Sequence, residues 1–337
     1  MDQSIRNWKF DYIKGIACIV VVLLHVPIPG PIGEAIIYGC RFSVPIFFMI
    51  TGYYSESKSN AWILKKTKDL LIKLVITEFL YGIWKLFLWT VIDGKEIGGF
   101  FGNTAIAKEP VKTLFFGSIF NGALWYMYAA VWTYLLVLLL RKIKLIGNPV
   151  FCIVYVFLMI TFMVAGRMII QSTENIDELA FLFCNAVTFG LPMVITGMFF
   201  ARYEEKIRNK ISLGKNILIL FAGGLVMCVE YLLYGKYMDF HVSTFIISCA
   251  IFFFAFTYKK EGIILKRPLC FIGQKLSLWI YLDHFFVNAA LLLLLGLIID
   301  TENNIYKYVH PFLVIAMSII VALFIYLLKK SIKRSKA

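Results

Sequence analysis

Near-continuous apolar stretches recur along the whole chain, at roughly 12–27, 35–54, 70–92, 124–140, 149–170, 181–200, 216–234, 241–258, 276–299 and 311–328. About 20 apolar residues in a helix cross the hydrocarbon layer of a bilayer, and a helix satisfies its own backbone hydrogen bonds there. Hydrophobic residues make up 61% of the chain, well above the roughly half of a soluble domain, so most burial must be against acyl chains. The pattern predicts an all-α fold: a polytopic membrane helix bundle of about ten transmembrane helices. A further apolar stretch, 111–122, is interrupted by Gly117 and Asn121. It is expected as a short re-entrant or interfacial segment.

Basic residues orient the bundle, because loops retained in the cytoplasm are enriched in lysine and arginine. With the amino terminus inside, most of the 34 fall on the cytoplasmic side, in clusters at 58–73, 141–144, 202–215, 259–275 and 329–336. The acids Asp93, Glu96, Glu174, Asp177, Glu178, Asp300 and Glu302 gather on the other. An even number of spans with both termini cytoplasmic follows, in a multi-pass protein of the cell (cytoplasmic) membrane. The net charge of +14 then serves topology and attraction to anionic membrane lipids, and calls for no nucleic acid partner. Linkers are short and no repeat or low-complexity run appears, so residues 1–337 are expected to form one integral membrane domain. The first ten residues are too polar for a signal peptide. Seven scattered cysteines without a Cys-x-x-Cys pair are expected as small buried hydrophobes. The four dispersed histidines offer no metal site.

The first stretch carries Asp11, Lys14, Cys18 and His25. At 100° per residue, Lys14 and His25 lie within ~20° of one line and Asp11 within about 40° of it. Ionisable groups inside a bilayer face a protein interior or a water-filled cavity, because lipid exposure costs a few kcal/mol each at least. The stripe therefore faces inward, toward a site, and His25 is the side chain that titrates near neutrality. Arg41 is expected to start the second span on the outer side, joined to His25 by a loop over 26–40. Glu78 and Lys85 share a face of the third span with Tyr81. Ser277, Tyr281 and His284 form another stripe at i, i+4 and i+7. For Asp11, Lys14 and Arg41 the competing reading is snorkelling toward an interface. Trp125, Tyr128 and Trp132 are expected in packing and the interfacial belt, and His241 and His310 at the surface.

Asp11-x-x-Lys14-Gly15-x-Ala17 followed by His25, then Arg41-Phe42-Ser43-Val44-Pro45-Ile46-Phe47-Phe48-Met49-Ile50-Thr51-Gly52-Tyr53, resembles the opening of the acyltransferase-3 family of integral membrane acyltransferases. That family is related to the membrane domains of membrane-bound serine racemases. Leu124-Trp125-Tyr126-Met127 and Ser277-Leu278-Trp279-Ile280-Tyr281-Leu282-Asp283-His284 extend the resemblance. Three departures stand out: Lys14 where arginine is commoner, Thr51 in place of a serine, and Lys65-x-x-Lys68 in place of Arg-x-x-Arg. Lysine lacks arginine's planar fork, which weakens any bidentate grip on phosphate.

The resemblance implies transfer of an acyl group, usually acetyl, from acyl-CoA to a hydroxyl of an envelope saccharide or lipid-linked glycan. Acyl-CoA is then a co-substrate and no cofactor stays bound. His25 would act as catalytic base or as acyl carrier, and Arg41 would stabilise the oxyanion or hold an anionic group. Lys14 and Asp11, ~16 and ~21 Å below His25 along the helix, would line the inner mouth, with Lys14 toward the donor phosphates. Glu78, Tyr281 and His284 complete the expected substrate-binding set. The rival reading is a transporter module of the same pattern, moving a small polar substrate or glycan without thioester chemistry.

Overall fold

The computed structural model describes residues 7–117, 119–171, 180–234, 240–260 and 262–335; Glu174, Asp177 and Glu178 lie outside them. The main helices in chain order are α1 (Trp8–His25), α2 (Gly30–Cys40), α3 (Ser43–Glu56), α4 (Asn60–Phe87), α5 (Trp125–Lys142), α6 (Pro149–Gln171), α7 (Leu191–Arg202), α8 (Leu213–Tyr234), α9 (Val242–Thr257), α10 (Ser277–Leu295) and α11 (Asn304–Ser335). No strand occurs among the described residues. Among the described residues, six helical stretches are long and apolar enough to cross a membrane, or up to seven if one broken pair counts as a single span. Three other helices fall outside that class for plain reasons. α1 holds Lys9, Asp11 and Lys14, the apolar part of α4 holds Lys73, Glu78 and Lys85, and α9 has only 16 residues. The ionisable groups that draw attention to α1 are the ones that make it an unfavourable span by composition. Between residues 111 and 122 the chain forms a helix of only seven residues, Pro110–Phe116, and reaches a 3-10 turn at Gly122–Leu124, too short for a crossing.

The chain divides into two compact units, Met1–Phe47 with Glu204–Ala337, and Phe48–Tyr203. In the first, α1 is the central element. Asn7 caps it by accepting from the Lys9 amide, and its carboxyl end stops at Val26-Pro27-Ile28-Pro29, where two prolines cannot continue the ladder. α1 crosses the segment that leads into α10, a helix at Lys266–Phe271 and a π turn at Ile272–Leu276. The crossing is backbone on backbone: a Cβ on Gly273 would stand 1.9 Å from the Asp11 carbonyl oxygen, and one on Gly15 would stand 2.2 Å from that of Leu269. Beyond it α10 runs beside α1 in the same direction. Cys18 Sγ donates to the Ser277 carbonyl at 3.3 Å, and seven residues further along each helix His25 meets His284. Cys18, Val22, Ile280, Val287, Val314 and Ala322 share the core behind this seam.

A methyl group at Gly273 has nowhere to go, since carbonyl oxygens on a packed helix do not swing aside. Gly273→Ala is therefore expected to cost at least the ~1–3 kcal/mol of core overpacking, read as a lowered melting temperature in detergent. Gly224→Ala, on α8 with no atom within 4 Å of the added carbon, is the matched control. Equal melting of the two variants would mean that the crossing yields freely.

In the second unit α3 and α7 interlock by the same device: Gly52 abuts the Val194 carbonyl and Gly197 that of Met49. Arg141 at the end of α5 donates to the carbonyls of Ser55, Glu56 and Lys58, so its guanidinium serves the orphan acceptors at the end of α3. Arg202 pairs with Glu56 through two bonds of 2.9 and 2.8 Å. Trp125 packs edge-on against Phe189 and Trp132 donates to the Leu114 carbonyl, both packing roles. Tyr128 is instead a buried donor to Glu78.

Candidate functional site

The end of α1 and the first half of α10 build the site in the first unit. The His25 ring lies 5.3 Å from that of His284, tilted by 33°, and 4.8 Å from Phe285. His284 is fully buried, with its Nδ1 3.1 Å from the Ile280 carbonyl. A carbonyl only accepts, so Nδ1 carries the hydrogen and the neutral ring keeps its lone pair on Nε2. That Nε2 is buried without a hydrogen-bond partner. His25 is only half-buried, so of the two imidazoles it is the more accessible. Tyr281 lies 6.1 Å from His284, ring to ring, on the same face of α10.

Lys14, toward the start of α1, and Asp283, which directly precedes His284, are both electrostatic neighbours of the buried Cys18 sulfur. The Ser318 hydroxyl of α11 lies beside the Asp283 carboxyl without completing a hydrogen bond. Asp11, deeper still, is buried; its carbonyl meets Gly273, and its charge is felt at Cys270. Lys266 sits 3.9 Å over the Trp8 ring at the same end.

Arg41 is not where the sequence pattern put it. Residues 30–40 are helix α2, with Pro31 in its first turn, and Gly30–Glu56 forms one membrane-length stretch interrupted at residues 41 and 42. Arg41 thus sits eleven residues inside the second span, ~16 Å from its start. The loop expected over 26–40 shrinks to four residues, because prolines 27, 29 and 31 read as loop punctuation although proline also opens helices well. The Arg41 charge acts on Tyr38, one turn earlier, whose hydroxyl is hydrogen-bonded to His241 Nδ1 at 2.9 Å.

His241 and His310, expected at the surface, are both buried. His241 precedes α9, whose first amides, Val242 and Ser243, donate to the two oxygens of Glu230. The carboxylate meets the positive end of the helix dipole there. His310 Nε2 donates to Asn288 Oδ1 at 2.7 Å and its Nδ1 accepts from the Tyr306 hydroxyl at 2.8 Å. Neighbouring side chains cover both helix ends, which composition near a span boundary does not reveal.

Glu78 belongs to the other unit. Its Oε1 accepts from the Ile119 amide and the Tyr128 hydroxyl, and its Oε2 from the Phe120 amide, at 3.0 to 3.1 Å. Two of these bonds hold the segment after Pro110–Phe116 in place, and the third ties Glu78 to α5. The first unit therefore brings His25, His284 and Tyr281 together, places Lys14 near the same seam, and sets Asp11 toward the amino-terminal end of α1. Sequence reasoning missed Asp283, Ser318, Glu230 and Tyr38. The available signal was an ionisable residue within an apolar helix, which singles out Asp283 and Glu230.

Several helices of membrane-spanning length and apolar composition, beside two histidine rings 5.3 Å apart, mark a multi-pass membrane protein. The chain belongs to the acyltransferase-3 family: the family model of this acyltransferase domain matches residues 7–329, across both units. No curated protein and no solved structure matches the chain.

Proposed function

We propose that the chain transfers an acyl group, acetyl in the simplest case, from acyl-CoA to a hydroxyl of a cell-envelope saccharide or lipid-linked glycan. The observation that carries this reading is the half-buried His25 against a buried second imidazole, in a chain of an acyltransferase family. His25 takes the proton from the acceptor hydroxyl as that oxygen attacks the thioester carbonyl, and the carbon–sulfur bond then breaks. The same nitrogen could instead receive the acyl group from the thioester and pass it on. Arg41, inside its span, is the cation proposed for the developing oxyanion or an anionic substrate group. Lys14 and Asp11 serve the donor at the inner mouth, and Tyr281 and His284 bound the reacting groups. In this reading ten helical segments cross the cytoplasmic membrane with both termini inside, so donor phosphates enter from the side where basic residues concentrate.

Purified protein in proteoliposomes is expected to consume radiolabelled acetyl-CoA, whereas substrate flux without thioester turnover would replace this reading by the carrier. Lys14→Ala is expected to raise KM for acetyl-CoA more than it lowers kcat, and Lys14→Arg to be tolerated. A cation at the mouth holds the donor phosphates equally in ground and transition states, and uniform binding appears in KM. Equal losses in kcat and kcat/KM would put Lys14 at the reacting carbon.

A further inference from the structure

Besides Asp11 near the start of α1, three buried carboxyls sit within the described helices, and they differ in one respect. Glu78 accepts from the Ile119 and Phe120 amides, and Glu230 from those of Val242 and Ser243. Both therefore have a structural task that occupies both oxygens. Asp283, 9% exposed, has neither oxygen in a hydrogen bond, and the Ser318 hydroxyl beside it and His284 Nε2 are likewise buried without one. Buried polar groups are almost always satisfied, and a carboxyl left without donors in apolar surroundings is costly. What completes such a group must be as small as a proton or a water molecule. The position is informative too: Asp283 directly precedes His284, whose ring meets that of His25, and its carboxyl lies near enough to Cys18 of α1 to act on the sulfur electrostatically.

We propose that Asp283, with Ser318, is a second proton-holding group of the reaction centre, which keeps the proton that His25 removes until the leaving sulfur takes it. The inference rests on the acyl-transfer reading. In that step the acceptor O–H bond breaks and its proton passes to His25, the ester C–O bond forms, and the thioester C–S bond breaks to release a thiolate. The proton moves by way of the Asp283 carboxyl to that sulfur, so acyl-CoA and an alcohol give an ester and the free thiol with nothing left over. Asp283 lies on the side of His25 that leads along Cys18 to Lys14, where the donor is proposed to enter. The ionisable groups on elements packed against α10 are Lys9, Asp11, Tyr12, Lys14, Cys18 and His25 on α1, Lys275 in the π turn, and on α11 Tyr306, Lys307, Tyr308 and His310 toward one end and Tyr326, Lys329, Lys330, Lys333 and Arg334 toward the other. His310 is held by Asn288, and Lys329 lies 3.7 Å over the Trp279 ring, toward opposite ends of α10.

The test is the pH dependence of kcat for acetyl-CoA consumption by the full chain in proteoliposomes, with melting temperature measured alongside. Asp283→Asn keeps the shape of the side chain, so melting temperature and KM for acetyl-CoA are expected to stay near wild type. Its kcat is expected to fall at least about tenfold, toward the range of lost acid–base catalysis, with one limb of the pH profile missing. Asp283→Glu restores that limb, and Ser318→Ala gives a smaller loss. An Asp283→Asn variant with wild-type kcat and pH profile overturns the proposal, as does one whose kcat falls only with its melting temperature and with an unaltered profile. A wild-type chain that turns over no thioester overturns the acyl-transfer reading and this proposal with it, whereas wild-type turnover indifferent to position 283 overturns this proposal alone.

Discussion

His25→Ala removes acyl transfer, with turnover falling at least ~10²-fold, while the solubilised protein keeps a near wild-type melting temperature. The two halves of that expectation have different causes. His25 closes α1 at its last residue and is half-buried, so truncation opens space beside Phe285 and His284 rather than inside the closed core formed by Cys18, Val22 and Ile280. Proton removal from an alcohol, by contrast, has no substitute once the accessible imidazole is gone. His284 does not take over, because its ring, with the lone pair on Nε2, is fully enclosed. His25→Gln, which keeps polarity without basicity, should be as inactive as alanine. More than a tenth of wild-type turnover in either variant would remove His25 from the chemistry.

Glu78→Ala is expected to have the largest effect on stability. It removes one acceptor group that serves three donors and strands the Ile119 and Phe120 amides in apolar surroundings. Each fully buried unsatisfied donor costs about 1–3 kcal/mol; both amides are part-buried, which places each toward the lower figure, still a sizeable share of the about 5–15 kcal/mol of a typical domain. The variant should melt far below wild type or fail to accumulate. Glu78→Gln keeps one acceptor oxygen but turns an amide hydrogen donor toward a backbone N–H, and should fall between the two. A Glu78→Ala protein that melts within a few degrees of wild type would show that residues 119 and 120 are held by other contacts.

Much of this architecture is local and could be read from the chain. The apolar stretches become helices because apolar length and helical hydrogen bonding are properties of consecutive residues. The alignment of Lys14, Cys18 and His25 follows from 3.6 residues per turn within one helix, and the family opening at Asp11 to Tyr53 is written in adjacent residues. The interruption at Gly117 and Asn121 likewise predicted a segment too short to cross, and it is one.

Tertiary structure decided which faces meet. His284 stands 259 positions from His25, and only the crossing at Gly15 and Gly273 brings α10 alongside α1 so that the rings touch. Arg41 moved into its span because Pro27, Pro29 and Pro31 carry no information about whether they end one helix or begin the next. His241 and His310 became buried once Tyr38, Asn288 and Tyr306 covered them. Glu78 and Asp283 look alike in sequence, each an acid within an apolar helix, yet one is saturated by amides 41 and 42 residues away and the other meets no backbone donor. Periodicity sets the face that a residue occupies; whether donors await it there depends on distant backbone, and that is settled only when the helices pack.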